Sequence, residues 1–111
     1  MSNYGLAFDI EMHDSEDGFA ERRVLTMPGD YIRMSEWADR NMAEAESDAV
    51  NTLRRNYATA WHALKRRGKL EEFGLPDELT VEAIDAMADR YTVYVHDLEE
   101  GALPLAGEPA R

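Results

Sequence analysis

Residues 47–68 constrain the fold more than any other part of the chain, because they carry a complete helix signal with a start, an apolar stripe and a stop. Ser47 or Asp48 is suited to accept hydrogen bonds from the first free backbone N–H groups, and Gly68 is suited to the left-handed conformation that ends a helix. Between them, apolar residues recur at three- and four-residue steps and therefore share one side of a helix. These residues are Val50, Leu53, Tyr57, Ala60, Trp61 and Leu64. We predict a helix whose apolar side lies at the centre of the core.

The composition indicates one small folded domain and limits the classes of partner that it is expected to bind. The chain has 111 residues, of which 44% are hydrophobic, and 23 acidic residues against 12 basic ones give a net charge of −11. A charge of this sign disfavours nucleic acid and anionic membrane surfaces as partners and favours a basic protein surface. The sequence contains no cysteine, and no stretch approaches the roughly 18 apolar residues of a membrane span. We therefore expect a cytoplasmic protein without disulfides.

Basic residues are concentrated on the predicted helix and immediately after it, with Lys65, Arg66 and Arg67 in its last turn. Six of the twelve fall within sixteen positions, namely Arg54, Arg55, Lys65, Arg66, Arg67 and Lys69. Cations in the last turn of a helix are favoured by its dipole by roughly 0.3–1 kcal/mol each before screening. Two interpretations remain open, a solvated helix end and a local cationic patch on an acidic protein.

The N-terminal part of the sequence predicts a β-hairpin. From Tyr4 to Met12 apolar residues alternate with others, as in a half-buried strand. Turn-forming residues follow at 14–18, and the pair Asp17 and Gly18 suits a backbone with positive φ. Residues 19–27 are predicted to form the return strand, and the broken alternation at 21–23 favours an edge position for it.

Two more helices and a third strand are predicted. Asp30 is suited to cap a helix, and Thr80 is suited to cap another that runs through Asp89. Residues 91–95 are β-branched or aromatic and favour a strand beside the hairpin. The apolar side of the first of these helices consists of Tyr31, Met34, Ala38, Met42 and Ala45, with Trp37 beside it. The inward residues of the other are Val81, Ile84, Met87 and Ala88.

These elements together predict an α+β fold, with an N-terminal β-hairpin, three helices and a short third strand. The predicted domain spans residues 1–98, and Phe73 and Leu75 are expected to attach the connection before the last helix to the core. Residues 99–111 contain glycine and proline and few residues to bury, so we expect a loose tail there.

The sequence offers little catalytic or metal-binding chemistry. His13, His62 and His96 lie on three different predicted elements, and none has a second ligand at metal spacing. The turn at 14–18 resembles a calcium loop only superficially, because its glycine comes one position early and the glutamate at the twelfth position is missing. Phosphate-binding loops and nucleophile elbows are also absent from the sequence. We therefore expect no catalytic residues, no metal and no cofactor, and a protein that is not an enzyme.

Binding to another protein is the remaining class of function. Trp37, Tyr57 and Trp61 belong either to the core or to an interface, since aromatic side chains are enriched at binding hot spots. Core packing is favoured for Trp61, whereas Trp37 lies off the main stripe. We predict that a partner-binding surface on the first helix includes Tyr31, Trp37 and Arg40.

A family resemblance supports this class of function. The sequence from Ala60 to Gly68 follows the pattern Ala-Trp-x-Ala-Leu-Lys-Arg-x-Gly and resembles the tail assembly chaperones of long-tailed bacteriophages and prophages, especially of actinobacterial hosts. The order of the predicted elements is similar too, from the N-terminal strand pair to a short Val-x-Val strand before an acidic tail. The chain departs from the family pattern with Ile84, where an aromatic residue often stands, and with a longer link between Gly68 and Thr80.

The resemblance implies a small non-enzymatic factor that keeps the long helical tape measure protein soluble while tail tube subunits polymerise around it. The implied partners are the tape measure protein and the tail tube protein, and we also expect self-association. The alternative is a small acidic regulatory protein, either a DNA mimic or an antitoxin-like protein, that binds a basic protein; this alternative rests on the net charge of −11.

Overall fold

A computed structural model describes residues 8–42 and 47–97. The described residues form an α+β fold, as the sequence predicts. The predicted strand residues before Phe8, the helix residue Ala45 and the tail at 99–111 lie outside the described residues. The elements are β1 (Phe8–Asp14), β2 (Ala20–Leu25), α1 (Pro28–Asn41), α2 (Asp48–Arg66), α3 (Val81–Arg90) and β3 (Tyr91–Asp97).

The three strands form an antiparallel sheet in the order β2-β1-β3. This confirms the hairpin, the edge position of its return strand and the third strand beside it. Because side chains alternate along a strand, Ile10 and Met12 of β1 point to the helices and are buried, whereas Glu11 and His13 lie on the outer face. The core therefore lies between one face of the sheet and the helices.

The turn of the hairpin contains two consecutive residues with positive φ. The side chain of Asp14 accepts a hydrogen bond from the Glu16 backbone N–H, and a single 3₁₀ turn, Ser15–Asp17, follows. Gly18 has φ 63°, which confirms the predicted left-handed position, and Phe19 has φ 61°. Phe19 is 61% exposed, so little packing offsets the cost of this conformation for a side chain with a Cβ.

We expect the substitution Phe19→Gly to raise the free energy of unfolding by about 0.5–1 kcal/mol, since glycine adopts positive φ without a steric penalty. Urea denaturation of the two proteins would measure the change. Phe19→Val provides the opposite test, because a β-branched residue is especially disfavoured at positive φ and should lower the stability.

Helix α2 begins and ends as its sequence predicts. The Ser47 side chain accepts a hydrogen bond from the Val50 backbone N–H, and Gly68 adopts φ 70° just beyond the last turn. In the second half of the helix the apolar stripe is buried, and the Tyr57 hydroxyl donates to the Tyr91 carbonyl at 2.6 Å. Trp61 is 2% exposed, and its ring N–H donates to the carbonyl of Pro76 at 3.0 Å. This half of α2 is the centre of the core.

The predicted apolar sides are wrong at three positions. Val50 is 36% exposed and Leu53 is 49% exposed, because the first turns of α2 extend beyond the part of the helix that packs in the core. Ala88 of α3 is also exposed, whereas Ile84 and Met87 are buried as predicted. On the connection before α3, Phe73 is buried and Leu75 packs against the core, which confirms their predicted role; Thr80 caps α3 as predicted. 

The prediction that Asp30 is the N-cap of α1 is wrong, because the helix begins about one turn earlier. The helix begins at Pro28, and proline suits a first position because the N–H it lacks would have no helical partner. Asp30 is the third residue of the helix, and its carboxylate reaches back to accept from the Met27 N–H at 2.8 Å. The same carboxylate is fully buried and receives two hydrogen bonds from Arg66, at 2.9 and 3.0 Å, so it joins the start of α1 to the end of α2.

Candidate partner-binding surface

The structure places Trp37, one of the three predicted partner-binding residues, inside the core. Trp37 is 7% exposed, and its ring N–H donates to the Leu79 carbonyl at 3.0 Å. The expectation that this ring is an exposed anchor is therefore wrong. Trp37 is buried because the residues that lead into α3 cover its ring, although Leu79 is 42 positions away in the sequence.

Tyr31 and Arg40 do not form one patch. They are nine residues apart, which separates them by about 13.5 Å along the helix and by roughly half a turn around it. Tyr31 is half-buried and packs against the core, whereas Arg40 is exposed in the last turn of α1. Their role in partner binding stays a prediction, for two separate positions on the helix.

An apolar depression opens beside Tyr31, where α1, α2 and the sheet meet. Its volume is about 190 Å³, which is below the roughly 300–1,000 Å³ of small-molecule sites and suits a single large side chain. A second, shallower depression continues it along the first turns of α2, and the two share Thr52 and Asn56. We call the combined surface the apolar groove. Its lining residues include Tyr31, Met34, Thr52, Leu53, Asn56 and Val95.

The chemistry of the apolar groove is that of a surface for an amphipathic segment. Leu53 offers an exposed apolar side chain, and Val95 and Tyr31 are partly buried beneath the groove. The Thr59 hydroxyl, also in the lining, donates to the Arg55 carbonyl within its own helix and is therefore satisfied. Arg55 supplies a cation at the wall. The groove can thus bury apolar side chains and pair a neighbouring carboxylate.

The basic residues of α2 have several different partners. Arg54 pairs with Asp85 at 3.2 Å, Arg66 pairs with buried Asp30, and the Lys65 ammonium lies 5.2 Å from the centre of the Trp61 ring. These three cations support the fold. A cationic pocket of about 480 Å³ lies between β2 and the end of α2; its basic lining residues are Arg22, Arg23, Arg67 and Lys69.

The histidines are less isolated than the sequence suggests. His62 lies on α2, where burial lowers the pKa of its imidazole. His13 and His96 come from different strands, but both approach Glu11 on the outer face of the sheet. Sequence reasoning missed this cluster. The sequence contains two signals for it: the two-residue spacing that places Glu11 and His13 on one face of a strand, and the β-character of the segment that carries His96. The sequence does not reveal the strand register that brings His96 to Glu11.

We found no match for this chain among protein-family models, curated proteins or solved structures. Within the part of the chain that the structure describes, none of the helices has the length and apolar character that crossing a membrane requires.

Proposed function

We propose that this protein is a non-enzymatic tail assembly chaperone of a phage or prophage, which binds and solubilises the tape measure protein during tail tube polymerisation. Two observations support the proposal, the pattern from Ala60 to Gly68 and the apolar groove. The groove supports the proposal more strongly, because a chaperone for a helical partner needs apolar surface that is not buried in its own core. Leu53, which is on the same helix as the pattern, provides such surface.

The proposed contact is a helix packed in a groove. An amphipathic helix of the tape measure protein places one apolar side chain in the depression beside Tyr31, and the next, one turn along, against Leu53. Arg55 pairs with an acidic residue at the edge of the partner's apolar stripe. In this arrangement the groove hides the stripe that would otherwise aggregate in the bacterial cytoplasm. Trp37 has no direct contact in this proposal, since it is buried.

The substitution Leu53→Asp is expected to weaken binding to a tape measure fragment at least tenfold, because it places a charge where the partner's apolar side chain should be buried. Leu53 is 49% exposed, so the fold should tolerate the change. Titration calorimetry with a fragment taken from the same genome would measure the affinity, and circular dichroism would verify the fold.

Phe19→Asp is the matched control, since it makes the same chemical change at an exposed apolar residue on the hairpin turn, outside the groove. This variant should bind as the native chain does. Equal binding by a folded Leu53→Asp variant would reject the groove, and failure of the native chain to bind any fragment of the tape measure protein would reject the proposed function.

A small acidic regulatory protein is the second candidate function, favoured by the net charge of −11. Such a protein would capture a basic partner through long-range attraction, which salt screens strongly. The two candidates differ in their expected salt dependence. Burial in the apolar groove should persist or strengthen at 0.5 M NaCl, whereas capture by charge should fall steeply.

Self-association also belongs to the proposal. Several linked copies would protect a long filament through effective concentration, and an exposed apolar groove can serve both contacts. Sedimentation of the native chain over a range of concentrations would measure it. A strictly monomeric chain would remove this part of the proposal and leave the groove argument intact.

A further inference from the structure

The outer face of the sheet gathers imidazole and carboxylate groups from all three strands. Glu11 lies on the central strand, and the antiparallel register places Glu21 of β2 opposite His13 of β1. On the other side, His96 of β3 lies opposite Asp9. Antiparallel pairs on one face are close enough for their side chains to meet. The register thus assembles a set of N and O donors that no short sequence motif contains.

The donor atoms are within reach of a single ion. One donor atom from each of Glu11, His13 and Glu21 lies within 4.8 Å of the other two. The His13 Nε2 lies 2.5 Å from Oε2 of Glu11, and the His96 Nε2 lies 3.1 Å from Oε1 of the same carboxylate. Glu11 is therefore held from both sides by imidazoles.

The orientation of the His13 ring is an independent sign that this cluster suits a cation. Its Nδ1 lies 3.2 Å from the carbonyl oxygen of Phe19, which can only accept, so Nδ1 carries a hydrogen. Nε2 is therefore the ring nitrogen that faces the carboxylate of Glu11. Without a metal, a proton on Nε2 joins the two groups as a hydrogen bond, and a metal ion bound there would take the place of this proton. A histidine that ligates a metal is typically oriented in this way, with its other N–H on a backbone carbonyl.

The local charge and packing agree with a divalent ion. Asp9, Glu11 and Glu21 contribute three negative charges, and Arg23, which pairs with all three, contributes one positive charge. These four side chains together carry a net charge of −2. Arg23 Nε donates to Oε2 of Glu21 at 2.7 Å, which leaves the second oxygen of that carboxylate for a ligand bond. The ring of Tyr94 packs edge-on against His13, with centroids 5.4 Å apart, and restricts its rotation.

We propose that Glu11, His13 and Glu21 form a binding site for a divalent transition metal ion, with His96 as a positioning residue that holds Glu11. Mixed imidazole and carboxylate donors favour Zn²⁺ and similar ions over Mg²⁺ and Ca²⁺, which prefer oxygen ligands alone. Two ligands of a tetrahedral Zn²⁺ ion lie roughly 3.4 Å apart, so binding opens the contact between His13 and Glu11 by about 1 Å. Both side chains are partly exposed and can make this shift. The site is separate from the apolar groove and goes beyond the proposed chaperone function.

Equilibrium dialysis of the full chain against Zn²⁺ at pH 7.5, with bound metal measured by atomic emission, tests the site. We expect saturable binding of one Zn²⁺ per chain and at least tenfold weaker binding by His13→Asn and by Glu11→Gln. His96→Gln should weaken binding by a smaller factor. His62→Gln is the matched control, because it removes a histidine from outside the cluster at the same formal charge, and it should leave the affinity unchanged.

Nitrogen-15 NMR of the histidine rings in the native chain provides a test that does not depend on the folding of a variant. Zn²⁺ should shift the His13 Nε2 resonance and leave the ring of His62 unaffected. The proposal would be overturned by non-saturable binding, by equal affinity of the folded His13→Asn variant, or by a Zn²⁺-induced shift at His62 in place of His13. Mg²⁺ at the same concentration should produce none of these effects.

Discussion

The substitution Trp61→Ala is expected to lower the free energy of unfolding by about 3–5 kcal/mol, the range for truncating a buried tryptophan. Trp61 is 2% exposed in the second half of α2, and its ring N–H donates to the Pro76 carbonyl at 3.0 Å. The change therefore leaves a cavity in the core and also releases the connection before α3. The free energy of unfolding of a small domain is only about 5–15 kcal/mol, so the variant should unfold at much lower urea concentrations than the native chain.

Urea denaturation followed by circular dichroism would measure the effect of Trp61→Ala, and Trp37 remains as a fluorescence probe in the variant. Trp61→Phe is the informative companion, since it keeps most of the apolar contacts but removes the N–H donor. The loss of stability in Trp61→Phe should be clearly smaller than in Trp61→Ala. A loss below about 1 kcal/mol for Trp61→Ala would contradict the burial of this ring.

Helix ends and their neighbours were the most predictable parts of the fold, because the signals are local. The caps of α2 and α3 depend on Ser47, Gly68 and Thr80, whose side chains or backbone act within one turn of their own position. The turn at Gly18 is equally local. Asp30 shows the limit of such signals, because an acidic residue that serves as a third helical residue has the same sequence preference as a cap.

Burial of individual side chains was less predictable, because it depends on how far each packed surface extends. Val50 and Leu53 continue the stripe of Tyr57 and Trp61, but no described element covers the first turns of α2. Periodicity cannot locate that boundary. Trp37 shows the opposite error, since its cover comes from residues that lead into α3. Both errors concern which apolar side chains stay exposed and can contact a partner. The candidate site was therefore harder to predict than the fold.

The cluster on the outer face of the sheet shows why a site can be invisible in sequence. Glu11 and His13 share a strand, but His96 is 85 positions from Glu11 and meets it only because β3 pairs with β1 in a particular register. A shift by one residue would move His96 to the other face of the sheet. The sequence predicts the strand, and only the pairing places the imidazole.

The substitution Arg90→Leu is expected to lower the free energy of unfolding by about 3–5 kcal/mol, because it removes the main cation from a buried carboxylate. Asp14 is 0% exposed, and Arg90 donates two hydrogen bonds of 2.9 Å to its carboxylate, which connects β1 to the end of α3. Without Arg90 the carboxylate is left buried, with Arg22 at 3.8 Å as its remaining cation. Lys69→Leu is the control, since it removes a cation from an exposed pair with Glu72 and should change the stability little.

Acid pH should reduce the effect of Arg90→Leu. The hydrogen bonds from Arg90 hold the pKa of Asp14 below its ordinary value in the folded protein. A lowered folded-state pKa means that the stabilisation is complete above the unfolded pKa of about 3.9 and is lost as the pH falls through the folded-state value. Urea denaturation at pH 7 and at steps below pH 4 should therefore give curves for the native chain and the variant that converge towards the acid end. Parallel curves would contradict the assignment of this pair.

A double variant separates the cost of the unpaired charge from the cost of lost packing. Asp14→Asn keeps an oxygen that can accept from the Glu16 N–H, but it removes the negative charge that needs Arg90. If the buried charge causes the instability, Asp14→Asn combined with Arg90→Leu should be more stable than Arg90→Leu alone. If the double variant is no more stable than Arg90→Leu, the unpaired charge is not the cause of the instability. The loss then comes from the other contacts of the Arg90 side chain, among them the position of its guanidinium 5.0 Å from the centre of the buried Tyr91 ring.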